Sequence, residues 1–313
     1  MKKQICFILS VTLLISFAFS LSASLASAEQ LIDANGTKPS LSSKNEETVI
    51  PAPEISKSEF AAQCREKINN NPAKTTLTEK EEYELIHLYM TSSNPEYYEK
   101  LMNDAGLDIY SSTITVSNTR SDADDVSLTN AMIVYSAILG TWTISCNGYW
   151  SNLSAISNEI PFIFIPTVGT RKAIGDHDLL AIEFLDVSGT TPHMTDSLLR
   201  VHLPNSSEAD YIRGPRDYHE RYGVVYGYED YIEITSTSLF GGYSWIYYGK
   251  SFDIMVKYDY TFENFYGKAR GLYVHTWSSA SLNSISFSGS GISFGWTNVQ
   301  YSFPIRSMSL VEF

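Results

Sequence analysis

The chain has 313 residues, with 22 Lys plus Arg set against 35 Asp plus Glu and a formal charge of −13 at pH 7. That balance argues against nucleic acid as a partner, because phosphate binding runs on Lys and Arg, and against plain electrostatic docking on anionic lipid. Three cysteines in the whole chain exclude a disulfide-framework mini-domain, so stability has to come from a true core.

The opening residues set Lys2 and Lys3 ahead of an apolar run that closes on the small-residue site Ala26-Ser27-Ala28. Residues 1–28 therefore read as a cleaved secretory signal, which predicts a secreted, extracellular protein. Residues 29–57 are rich in Ser, Asn, Glu and Pro and show no sustained periodicity, the composition of a disordered spacer. In an oxidising compartment Cys64 and Cys146 are a candidate disulfide. The alternative is a buried Cys146 beside an unpaired Cys64.

Residues 58–106 carry helix signals. Ser58 precedes EFAAQCREKI, and NNNP stops that helix by Pro72. Thr78 with Glu81 makes a capping box for EKEEYELIHLYM, whose Tyr83, Ile86 and Met90 form one apolar stripe. Asn94 followed by Pro95 starts a third helix that ends at Gly106. A unit this short is marginal alone, so it is expected to lean on the β domain C-terminal to it.

Residues 107–313 change to period two. The clearest case is SFDIMVKYDYTF, where Phe252, Ile254, Val256, Tyr258, Tyr260 and Phe262 face one way and Asp253, Lys257 and Asp259 the other, the pattern of a half-buried strand. NAMIVYSAILG is read as a strand because Gly140 leads straight into the alternation of TWTISC. Many short strands separated by turn residues predict a mainly β fold, an antiparallel β-sandwich of jelly-roll type preceded by the short three-helix segment. From Thr276 to Ile305 there is no Asp, Glu, Lys, Arg or His. The SISFSGSGISFGW hairpin within that stretch is expected to be an inner pair of the sandwich, with Ile285, Phe287, Ile292, Phe294 and Trp296 in the core.

Local catalytic signatures are absent: there is no G-x-S-x-G, no H-E-x-x-H, no Walker loop and no C-x-x-C pair. The GDHD run places Asp176 and Asp178 on one strand face and His177 on the other, so a metal site there would need His193 or His202 from elsewhere. A solvated loop is the simpler reading. Asp122 to Asp125 lack the glycine turn and distal Glu of a calcium loop. The cluster Arg213, Arg216, Asp217, His219, Glu220 and Arg221 reads as a salt-bridged surface loop. No cofactor and no metal are expected.

Aromatic rings are the most distinctive feature. In GGYSWIYYG, strand alternation sends Tyr243, Trp245 and Tyr247 to one face and Ile246 and Tyr248 to the other, and two aromatic faces cannot both be solvated cheaply. One is expected in the core. The other is the candidate ligand platform, assigned to Tyr243, Trp245 and Tyr247. The function expected from these features is a non-catalytic extracellular domain that binds a polysaccharide or a cell-surface protein. A β-pore-forming protein, the one alternative with a membrane partner, and a secreted hydrolase without local motifs are the rivals.

Overall fold

The computed structural model describes residues 48–71, 74–114, 126–129, 131–153, 156, 167–202, 209–238, 242–277, 280–297, 302–306 and 310–313. The expected leader, residues 29–47 of the expected spacer, the acidic run Asp122 to Asp125 and most of IPFIFIPTVG lie outside the described residues.

Among the described residues the fold is mainly β, with antiparallel sheets and three helices of ten residues or more. In chain order the elements are β1 (Thr48–Ile50), α1 (Lys57–Asn69), α2 (Glu79–Thr91), α3 (Pro95–Asp104), β2 (Leu107–Ile114), β3 (Val126–Leu128), β4 (Met132–Ser136), β5 (Thr141–Trp150), β6 (Arg171–Gly189) and β7 (Met194–His202). They continue with β8 (Ala209–Arg213), β9 (Asp217–His219), β10 (Gly223–Thr237), β11 (Tyr243–Tyr248), β12 (Ser251–Tyr258), a 3₁₀ turn (Tyr260–Asn264) and β13 (Phe265–Thr276). The last strands are β14 (Leu282–Ser288), β15 (Gly291–Trp296), β16 (Ser302–Arg306) and β17 (Val311–Glu312).

The first sheet runs β1-β2-β4-β5-β12-β7-β8, with β3 also on β5. The second runs β11-β10-β6-β13-β16, with β9 on β10 and β17 on β13. One core lies between them, drawing Trp142, Ile144, Phe252, Ile254 and Val256 from the first sheet and Leu180, Ile182, Phe184, Tyr226 and Tyr273 from the second. Approach is close enough that a Cβ on Gly271 of β13 would stand 2.1 Å from the Cys146 sulfur. No larger residue fits there.

Each sheet carries a cover on its outer face. On the first sheet, Tyr83, Ile86, Tyr89 and Met90 of α2 pack with Met102 of α3 over Met132, Val134, Leu198 and Met255. Helix α1 instead sends Ala61, Cys64 and Ile68 into the core between the sheets. Both capping boxes of the first two helices form: Glu59 closes on Ser56, two residues ahead of the Ser58 expected, and Glu81 closes on Thr78. Asn94 caps α3. Thr48–Ile50, inside the stretch expected to be a spacer, adds instead to the edge of β2, since a Thr-Val-Ile run suits a strand once a partner edge is present.

On the second sheet the cover is the charge-free hairpin β14-β15, a two-stranded sheet of its own. It is not an inner pair of the core, as expected from sequence. Its Ile292 is buried while Ile285, Phe287, Phe294 and Trp296 pack part-buried over Leu179, Ala181, Val225, Leu272 and Val274. The reason is that β6, β10 and β13 are apolar on both faces, so the outer face needs a lid of its own. The hairpin is tied down by Glu183, which accepts from the Ile292 amide at 2.9 Å and pairs with Arg270 at 2.5 Å.

Strand β12 differs from the half-buried strand expected. Every residue from Phe252 to Tyr258 is buried, because β12 is central in its sheet and α2 covers the face that alternation assigned to solvent. Its polar residues are matched from the helix: Lys257 meets Glu82 at 3.0 Å, and Asp253 meets His87. Beyond Tyr258 the strand gives way to the 3₁₀ turn, which leaves Tyr260 exposed and Phe262 buried.

Candidate functional site

Two clusters of histidine and carboxylate side chains occur among the described residues, and neither was visible as a motif. The first is His87, His202 and Asp253. Asp253 alternates with core residues along β12 and therefore points to the helix side. His202 ends β7, the next strand, and His87 descends from α2 one turn after Tyr83. His87 Nδ1 lies 2.8 Å from Asp253 Oδ1, and His202 Nε2 lies 3.0 Å from Asp253 Oδ2. The two rings stand 4.7 Å apart between centroids, tilted by 30°.

The carboxyl of Asp253 is itself buried, between two imidazoles that keep some exposure to the cleft. Burial alone would push its pKa up, but the nearby imidazoles, His87 first, outweigh burial and hold it well below the usual carboxylate range. Burial also lowers the His87 pKa, against the pull of Asp253. At neutral pH the pair is an ionised carboxylate and a neutral imidazole whose Nδ1–H donates to it. The other ring nitrogen, Nε2 of His87, is left as a lone pair.

The trio forms one wall of a cleft of about 600 Å³. The remaining walls come from the end of α2, the loop behind it and the start of α3 (Met90, Thr91, Ser92, Ser93, Pro95), from Leu128 at the end of β3 and Thr129 after it, and from Asn147, Gly148 and Tyr149 of β5. The lining presents more apolar than polar surface, with hydroxyls, one amide and two imidazoles set among Met90, Pro95 and Leu128, and Tyr149 is 38 % exposed. Asn147 is buried, is the register partner of Asp253 across β5 and β12, and its side-chain oxygen has no hydrogen-bond partner among the described residues. Such an orphaned acceptor is costly unless something else satisfies it.

The second cluster, Asp178, Asp230 and His275, is fully buried. Asp178 accepts from Tyr273, from the Thr276 amide at 2.9 Å and from His275 Nδ1 at 2.9 Å. Asp230 accepts from Tyr247 at 2.7 Å. Burial, then the charge of Asp178, raise the Asp230 pKa well above the usual range, which favours its protonated form. This cluster lies in the interior, with the Trp150 ring edge-on to His275 at 4.8 Å.

The residues singled out from the sequence are scattered. Of GDHD, Asp178 enters the sealed cluster, while His177 and Asp176 pair with each other near the surface at 2.9 Å. His193 bonds Asp259, and only His202 joins the cleft. Arg213 pairs with Asp196, Arg221 donates to the Gly189 carbonyl, and His219 stacks on Tyr222, so that loop gathers no common site. On edge strand β11, Tyr243 and Trp245 are half-buried, whereas Tyr247 is 2 % exposed and committed to Asp230. Tyr248 on the opposite face is buried too, stacked on Tyr231 at 4.5 Å.

The expected bridge between Cys64 and Cys146 is not formed, and both are buried free thiols. Cys146 donates to the Thr129 carbonyl at 3.1 Å, and burial pushes its thiol up to about 12. Cys64 is also pushed up to about 12, by burial and by Asp108 beside it. Neither is a nucleophile at neutral pH.

Comparison with known proteins adds little. No family model matches the chain, and no curated protein is similar to it. Among solved structures, AvmM, which catalyses macrocyclization in alchivemycin A biosynthesis, aligns at 14% identity over 54% of this chain and 80% of that chain, with a TM-score of 0.19. At that TM-score the likeness carries no weight for fold or function.

Proposed function

We propose that this is a secreted binding protein built on a two-sheet sandwich, and that it takes a neutral saccharide in the cleft between α2 and the first sheet. What supports a saccharide is the cleft wall: hydroxyls, the unsatisfied Asn147 oxygen and a partly exposed Tyr149 ring. A sugar offers matching hydroxyls and an apolar ring face that stacks on an aromatic. The single observation that carries the proposal is Asn147, a buried acceptor beside Asp253 that a ligand hydroxyl would satisfy. An acidic surface disfavours anionic ligands but not neutral ones.

The pore-forming alternative rests on the charge-free hairpin. Its strands have seven and six residues, short of the roughly 9 to 11 that a tilted spanning strand needs. Among the described residues no helix is long and apolar enough to cross a membrane.

The test is binding of the full chain to an array of neutral glycans, beside dye release from liposomes. Tyr149→Ala is expected to abolish retention with the melting temperature unchanged. Trp245→Ala, part of the platform inferred from sequence, is expected to lower stability by about 1–3 kcal/mol because it is half-buried, while leaving retention intact. Loss of retention in Trp245→Ala with unchanged melting would move the site to β11. Dye release without glycan retention would favour the pore.

A further inference from the structure

The trio in the cleft has a property that saccharide binding does not use. Two imidazoles and a carboxylate converge from three separate elements, with one ligand atom from each lying within 4.8 Å of the others. Among the described residues the other such group, with one imidazole and two carboxylates, is closed to solvent. In the cleft the converging groups lie beside open space.

We propose that His87, His202 and Asp253 form a binding site for a divalent transition-metal ion of the zinc class. The donor set of two nitrogens and one carboxylate oxygen is what zinc and its neighbours select, whereas calcium and magnesium prefer all-oxygen sets. The spacing fits. Metal bonds of about 2.0–2.1 Å in a tetrahedral arrangement put ligand atoms about 3.3 Å apart. The imidazole nitrogens lie 2.8 Å and 3.0 Å from different oxygens of Asp253, and one ligand atom from each residue lies within 4.8 Å of the others, so the side chains reach that spacing by drawing in around a shared ion.

Electrostatics are compatible with a cation. Asp253 contributes a carboxylate whose ion-pair partners are the two imidazoles, and no Lys or Arg among the described residues pairs with it directly. Arg200, its cross-strand neighbour on β7, is met by Glu84 at 2.9 Å, and the Tyr211 hydroxyl donates to that same carboxylate. The sheet holds Asp253 and His202 on adjacent strands, and α2 is pinned in register by Glu82 on Lys257 and by Tyr83 on Asp196. The ligands are therefore held by rigid elements, as a preorganised site requires. With three protein ligands in a tetrahedral arrangement one position is left for the cleft that the trio lines, the mark of an ion that meets a ligand rather than one that only braces the fold.

The experiment is a titration of the chelator-treated full chain with Zn²⁺ by calorimetry and with Co²⁺ by visible absorption. One ion per chain is expected, with intense Co²⁺ bands of low coordination number. His202→Gln, at the end of its strand, and His87→Gln are each expected to weaken Zn²⁺ binding at least tenfold, while His177→Gln, on the surface, leaves it unchanged. If Asp253→Asn fails to fold, the two histidine variants still decide the matter. Absence of stoichiometric binding by the wild type, or affinity in His202→Gln and His87→Gln equal to wild type, overturns the site. Glycan retention by metal-free protein together with no Zn²⁺ binding would overturn this inference and leave the saccharide cleft standing.

Discussion

The two histidine-carboxylate clusters use similar groups to opposite ends. In the cleft, Asp253 is ionised, flanked by two imidazoles and adjacent to open space. Between the sheets, Asp178 and Asp230 share one low-dielectric interior, where burial and then the charge of Asp178 raise the pKa of Asp230 and favour its protonated form. Composition therefore does not distinguish a candidate site from an internal strut. Access and charge state do.

Removing the strut should have the largest effect. Asp178→Ala would orphan the Tyr273 hydroxyl, the Thr276 amide and the His275 ring at once, and is expected to cost about 3–5 kcal/mol in chemical denaturation. A loss under about 1 kcal/mol would mean that the interior cluster is not a structural network.

A sharper contrast comes from two like substitutions. Asp253→Asn withdraws a charge that accepts from two imidazoles and is expected to cost about 2–3 kcal/mol at neutral pH. Asp230→Asn mimics an acid already protonated, so its cost is expected to stay within about 0.5 kcal/mol. Equal losses in the two variants would erase the distinction in charge state.

The smallest effect is in the pH response, where the clusters should pull in opposite directions. His87 and Asp253 have folded pKa values below their unfolded ones. Their contribution is complete above the unfolded values and is lost on acidification, beginning below about 6.5 for the imidazole. Asp230 has a raised folded pKa, so its contribution is complete below about 3.9 and is lost as pH rises from there towards the folded value. Melting temperature followed against pH should show a shallower acid-side fall in His87→Gln and a shallower decline with rising pH in Asp230→Asn. Slopes identical to wild type in both would contradict the assigned protonation states.

Both regions also show what one-dimensional pattern could convey. Alternation in SFDIMVKYDYTF placed Phe252, Ile254 and Val256 opposite Asp253 and Lys257, which is how β12 lies, because side-chain direction in a strand follows from backbone geometry alone. The capping boxes at Ser56 and Thr78 are equally local, three residues closing on one another. His87 could have been noticed as one of only six histidines, set beside the apolar stripe of a helix, but nothing in its neighbourhood names Asp253, 166 positions away.

The sequence by itself therefore determined strand polarity, helix starts and a mainly β fold, since each depends on interactions over a few residues. Tertiary structure decided which polar face is covered and which stays open. Alternation marks Asp253 and Lys257 only as opposite to the core. It took α2 lying across the first sheet to turn that face into a buried network with a cleft at one end. In the same way, the absence of charge from Thr276 to Ile305 signalled burial of the β14-β15 hairpin but not its layer. Apolar surface is driven out of water by whatever face is available, and the one left uncovered was the outer face of the second sheet.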